Sequence, residues 1–136
     1  MTSSHSIAVT TVLGLGLTFA TPGWATPLSD ACAALGEART SLYSMLHTKD
    51  RSSQDALKAK VQAASSKVDS AIASMGGADA KMIADFNTIW DQFKATRDNE
   101  IIPAIYNGNI DDARKIANGI QFQRLSKMWS ILSCSR

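Results

Sequence analysis

The chain has 136 residues, with 14 Lys and Arg against 12 Asp and Glu, a formal net charge of +2, two cysteines and 45% hydrophobic residues. That length holds a single domain of ordinary size, and so small a charge, without any cluster of Lys or Arg, leaves no footprint for nucleic acid. Neither cysteine belongs to a C-x-x-C-H string, which excludes covalently attached haem.

Residues Ile7 to Ala20 (IAVTTVLGLGLTFA) form a largely apolar run followed by Thr-Pro-Gly-Trp-Ala, where Gly23 and Ala25 are small enough for a signal-peptidase site. The run is shorter than the roughly 20 apolar residues that span a bilayer. Residues 1–25 are therefore expected to be a secretory signal peptide, with residues 26–136 as the exported, periplasmic domain. Met1 to Ser6 carries no Lys or Arg, which keeps an uncleaved membrane tether as the alternative.

Leu28 to His47 places Leu28, Ala31, Leu35, Ala38, Leu42, Met45 and Leu46 at helical steps of three and four. Thr48 to Ser53 is a polar break in which Ser52 or Ser53 can cap the next helix. A second helix over Gln54 to Met75 carries Leu57, Val61, Ala64, Val68, Ala71, Ile72 and Met75 on one stripe, and Gly76-Gly77 ends it. Asp79 can cap a third helix that buries Met82, Phe86, Ile89, Trp90, Phe93, Ile101, Ala104 and Ile105. Pro103 lies inside that pattern and predicts a kink near Asn99 to Pro103, since the periodicity resumes beyond it. Gly108 closes the third helix. Asn109, Asp111 and Asp112 open a fourth that continues to Ser133.

Four long helices with short connections predict an all-α, up-down-up-down antiparallel four-helix bundle. In that topology the first helix begins and the fourth ends at the same end of the bundle, which brings Cys32 and Cys134 together as a disulfide in an oxidising compartment. Closing a loop of about 100 residues contributes up to about 4 to 5 kcal/mol in the chain-entropy model.

The string from Trp90 to Met128, WDQFKATRDNEIIPAIYNGNIDDARKIANGIQFQRLSKM, resembles the second half of the four-helix-bundle sensor domain of methyl-accepting chemotaxis proteins. The likeness is carried by Trp90, Phe93, Arg97, Glu100, Ile101, Ile102, Pro103, Gly108, Ala113 and Gly119. It implies a ligand-binding or interaction bundle, usually a homodimer packed through its first and fourth helices. Receptors of that kind continue into a second membrane span and a cytoplasmic transmitter. The resemblance here is to the sensor part alone, with the Cys32 to Cys134 link in place of the two spans.

Candidate functional residues follow from the helical wheel at 100° per residue. Arg97 and Glu100 fall on the buried stripe of the third helix, and buried charges require partners. They are expected to form an internal ion pair, with anchoring of an anion by Arg97 as the alternative. Arg39 lies beside Leu35 and Leu42, and Arg124 beside Ile120 and Ile131, at similar depth below the two cysteines, with Lys127 nearby. This group could hold a carboxylate or phosphate, since the planar guanidinium pairs bidentately with both; the competing reading is long side chains that reach out to solvent. On the fourth helix Phe122, Leu125, Trp129 and Leu132 form a second apolar stripe, apart from the Ala113, Ile120, Ile131 stripe. Phe122, Leu125 and Trp129 are therefore expected to meet a second copy or a partner.

No catalytic constellation is legible. His47, the single histidine of residues 26–136, has no neighbouring nucleophile, and no Glu-x-x-His pair marks a di-metal bundle. Met75, Met82 and Met128 gather toward the cysteine end, where core filling is the ordinary role of Met at helical spacing. Neither a cofactor nor a metal is expected. The sequence thus predicts a non-enzymatic periplasmic sensor-like bundle, dimeric, that binds a small anionic solute or a membrane sensor protein. The alternative is a structural or interaction bundle with no small-molecule ligand.

Overall fold

A computed structural model describes residues 25–75 and 79–135. All of the expected signal peptide but Ala25, and the Gly76-Gly77 stop, lie outside those residues. Helix α1 spans Ala25–Leu46 and α2 spans Arg51–Ala73, both without interruption. The third rod of the bundle is α3, Ala80–Thr96, followed by a π-helical turn, Arg97–Ile101, and the short α4, Ile102–Tyr106. The fourth is α5, Ile110–Asn118, and α6, Ile120–Ile131. The rods run antiparallel as a four-helix bundle, which is the expected fold.

Local chemistry explains most of the boundaries. Between α1 and α2 the Asp50 carboxylate, not Ser52 or Ser53, is the N-cap: it accepts the Ser53 amide and the Ser53 hydroxyl, each at 2.8 Å. A carboxylate satisfies two donors at once and matches the positive helix end, so α2 begins two or three residues earlier than the serine caps would allow. The Ser53 amide, and secondarily its hydroxyl, hold the Asp50 carboxyl below its usual range. Asp79 caps α3 as expected, accepting from the Lys81 amide at 2.9 Å. Gly108, at φ 79°, ends α4 in a Schellman turn, with Asn109 N–H donating to the Ala104 carbonyl at 2.8 Å and Gly108 N–H to Ile105 at 3.1 Å.

The kink expected before Pro103 takes the form of the π turn, in which Ile102 N–H reaches back five residues to the Arg97 carbonyl. Pro103 has no N–H and its ring crowds the carbonyl one turn earlier; widening the preceding turn relieves that crowding without ending the helix. The fourth rod is not the continuous helix that its periodicity suggests. It breaks at Gly119, whose backbone sits at φ −95°, ψ −109°. A Cβ there would lie 2.9 Å from the Lys115 carbonyl oxygen, so the bend requires glycine.

The buried apolar residues fall into two clusters. Nearer the disulfide, Leu35, Val68, Ile72, Phe86, Trp90, Phe93, Leu125, Met128 and Leu132 pack together, with Cys32 and Cys134 against them. Phe86, Trp90 and Phe93 stack in sequence at centroid distances of 6.3 and 5.6 Å, each such pair adding about 0.5 to 1.5 kcal/mol beyond area burial. Trp90 keeps its indole N–H satisfied by donating to Asp69 of α2 at 2.7 Å. At the closed end Leu42, Met45, Leu46, Val61, Ile101, Ile102, Ile105, Ala113 and Ala117 form the second cluster. Cys32 and Cys134 are joined, with their Cα atoms 5.6 Å apart, as antiparallel topology requires.

Candidate functional site

Three of the four buried polar side chains among the described residues enter the bundle in the layer between the two clusters. Ser65 of α2, Arg97 of the π turn and Gln121 of α6 are all buried there. Arg97 Nη1 donates to Ser65 Oγ at 2.6 Å, while its Nε and Nη2 donate to the two Asp98 carboxylate oxygens at 2.8 and 3.2 Å. The expected partner, Glu100, is exposed and does not pair with Arg97. The π turn is the reason. It spends an extra residue per turn, so Ile101 and Ile102, not Glu100, return to the buried face. Arg97 is committed to its protein partners and offers little to an outside anion.

Gln121 donates from Nε2 to the Phe93 carbonyl at 2.9 Å and accepts Arg124 Nη1 at 3.0 Å on Oε1. Arg124 Nη1 also donates to Thr96 Oγ1 at 2.8 Å and reaches the Gln92 carbonyl at 3.5 Å. Arg124 therefore lies on the α3 flank of α6. Arg39 lies on the other flank, its guanidinium carbon 5.1 Å from the Tyr43 ring centroid and 5.7 Å from that of Trp129. The two arginines flank Gln121 within one bundle instead of meeting in one cradle, and Lys127 is exposed on α6.

Arg39 Nε is the one buried side-chain polar atom among the described residues that lacks a hydrogen-bond partner. Beside it is a void of about 10 Å³, lined by Arg39, Tyr43, Phe93, Ala117, Gln121 and Phe122 among others, about the space one water needs. Outward from Arg39 a shallow groove of about 500 Å³ runs along α1 past Thr40, Tyr43, Ser44, His47 and Thr48. Tyr43 closes its rim, donating to Asn118 Oδ1 at 2.7 Å and approaching the Ala117 carbonyl at 3.3 Å.

The expected partner face is redistributed. Leu125 is buried in the core at 2% exposure and Trp129 packs partly against it, whereas Ile120 and Phe122 are each 45% exposed. Across the break at Gly119 the buried face keeps its helical spacing: Gln121, Leu125, Met128 and Leu132 continue the face begun by Ala113 and Ala117 in steps of four and three. Gln121 and Ser65 escaped the sequence reading because they are polar. Their signal was position: Gln121 falls four residues from both Ala117 and Leu125, and Ser65 lies beside Val61, Ala64 and Val68.

The fold and this polar middle define an all-α helical bundle with charged and amide groups drawn into its core. A family model described as a four helix bundle sensory module for signal transduction matches residues 25–132, and the chain belongs to that family. The match takes in the first two helices as well as the Trp90 to Met128 stretch. Neither the curated proteins nor the solved structures contain a match to this chain. Among the described residues no helix is long and apolar enough to cross a membrane.

Proposed function

We propose that this signal-transduction sensory bundle works outside the cytoplasm, exported by its N-terminal segment, and that it recognises a small anionic solute through Arg39. The family of sensory modules and the Cys32 to Cys134 disulfide support an oxidising, exported setting. The observation that carries the ligand reading is the unpaired, buried Arg39 Nε beside a groove that opens to solvent. A guanidinium packed between Tyr43 and Trp129 with an unused donor is a carboxylate or phosphate receptor in waiting. Arg124 then acts indirectly by fixing Gln121 beside the void, and Lys127 adds positive charge on the same helix.

Two copies pack through the α1 and α6 faces in this proposal, with Phe122 and Ile120 at the seam and the Arg39 groove along its edge. A ligand there bears on α1 and α6 together and biases their relative packing, a two-state change of the kind sensors use.

A thermal-shift screen over carboxylates, amino acids and phosphates tests the ligand. A solute at one hundred times its Kd stabilises by about 2.7 kcal/mol, which raises Tm by several degrees. Arg39→Ala should abolish that rise, Arg124→Ala should weaken it, and absence of any response across the screen removes the proposal. In that event the exposed Ile120 and Phe122 favour the second reading, an interaction bundle that docks a protein partner without a small ligand.

A further inference from the structure

We infer that the closed-end hairpin tip, residues 102–118, is a hinged unit that swings away from α1 and α2 without unfolding the cysteine half. The inference does not depend on any ligand. Helices α1 and α2 are continuous from end to end, but the two rods packed on them are both interrupted, by the π turn at Arg97–Ile101 and by Gly119. Arg97 and Gly119 stand equally far along the chain from Gly108, the turn between the rods, so the interruptions face each other at one level. Gln121, just past one break, is bonded to the Phe93 carbonyl just before the other.

The core divides at the same level. The tip's buried residues, Ile102, Ile105, Ala113 and Ala117, belong to the closed-end cluster, and α3 and α6 supply the other. Between them stand the small Ala38 and Ala64 and the polar Ser65, Arg97 and Gln121, and the apolar residues on the two sides fall into separate clusters. Opening the tip thus leaves the aromatic stack and the disulfide untouched. Sub-global opening of this kind follows from a local cluster that is smaller than, and separable from, the main core.

Two tyrosine clasps hold the tip shut. Tyr106 of α4 donates to Asp55 of α2 at 2.8 Å and is covered by Arg51, whose guanidinium carbon lies 3.7 Å from its ring centroid. On the other side Tyr43 of α1 donates to Asn118, the last residue of α5, at 2.7 Å. These bonds are solvent-accessible and individually modest. The Tyr106 clasp sits near Gly108, at the free end of the tip, where a small loss has most leverage on a hinge; the Tyr43 clasp holds Asn118 beside the Gly119 hinge itself.

Residue-resolved amide hydrogen exchange on the whole protein, with the disulfide intact, tests this. The amides buried in the tip should exchange through one common opening, at least about tenfold faster than those of Phe86 to Phe93 and Leu125 to Leu132. The double variant Tyr43→Phe/Tyr106→Phe should accelerate the tip a further fivefold or so and leave the cysteine half unchanged. Protection that is uniform across both halves overturns the inference, as does a residue-by-residue gradient from Gly108 without a shared opening, or a variant that accelerates all amides equally.

Discussion

Arg97 Nη1 donates a 2.6 Å hydrogen bond to Ser65 Oγ in the middle of the bundle, and both side chains are buried. The remaining guanidinium nitrogens turn outward to Asp98, a carboxylate half in solvent. The charge is thus satisfied from two sides, one dry and one wet. Ser65→Ala should lower stability by about 1.5 to 3 kcal/mol, because it strands a buried cationic donor. Arg97→Met removes the charge that needs the partner, and should change stability by only about 1 kcal/mol in either direction. Urea unfolding of both single variants and of Arg97→Met/Ser65→Ala closes the cycle: the double variant should resemble Arg97→Met, not the sum.

Two glycines should respond in opposite senses to the same substitution. Gly119→Ala forces a Cβ to within 2.9 Å of the Lys115 carbonyl, and the resulting strain should destabilise by about 1 to 3 kcal/mol. Gly36 lies within α1 with nothing within 4 Å of the position a Cβ would take. Gly36→Ala should therefore stabilise by about 0.5 to 1 kcal/mol through helix propensity. Midpoints of urea unfolding read both, and equal effects would contradict the bend as described.

The disulfide spans 102 residues of sequence. In the chain-entropy model its loss costs about 4 to 5 kcal/mol. Cys32→Ser/Cys134→Ser should lower the denaturant midpoint accordingly while circular dichroism below the transition stays helical, because the core next to the cysteines is complete without them.

Tyr106 provides a signal at alkaline pH. Partial burial first, and then the hydrogen bond and negative charge of Asp55, raise its pKa above the ordinary value of 10.0, against a smaller opposing effect of Arg51. The folded state therefore holds the phenol proton more tightly than the unfolded chain does. Its contribution is complete below pH 10 and is lost as pH rises through the folded-state pKa. Comparing unfolding free energies from pH 8 to 11, the wild type should lose stability relative to Tyr106→Phe at the upper end; parallel curves would refute the Asp55 clasp.

Phe122 is the sharper probe of association than Trp129, since Trp129 also supports the core. If two copies pack through α6, Phe122→Glu should convert a sedimenting dimer to a monomer with unchanged helical content. A wild-type protein that already sediments as a monomer at tens of micromolar excludes that seam.

The apolar spacing of α1 and of α3 up to Phe93 was legible because a continuous helix carries its phase from residue to residue. Ala31, Leu35, Leu42, Phe86, Trp90 and Phe93 are buried where a wheel puts them. The same wheel misassigned Glu100, which lies beyond the point where the π turn resets the phase, and it misassigned Ile120 and Leu125 because the buried face of the fourth rod passes through the polar Gln121. Pro103 announced the reset, but not that it would take the form of an i→i+5 turn upstream of the ring. Gly119 gave no warning, since a glycine within a helical pattern is compatible with either a helix or a bend.

By itself, then, the sequence determined the helical class, the antiparallel order of four rods, the meeting of Cys32 with Cys134 and the kinship with sensory bundles. All of these rest on local periodicity, short connections and residue strings. Tertiary structure alone decided that Arg97 bonds Ser65 and Asp98, that Arg39 and Arg124 occupy opposite flanks of α6, and that Phe122 is exposed while Leu125 is core. The physical reason is angular. A side chain's direction depends on every turn of helix between it and its neighbours, so a single widened turn redirects the residues that follow, and a buried polar residue such as Gln121 hides the face that an apolar pattern would trace.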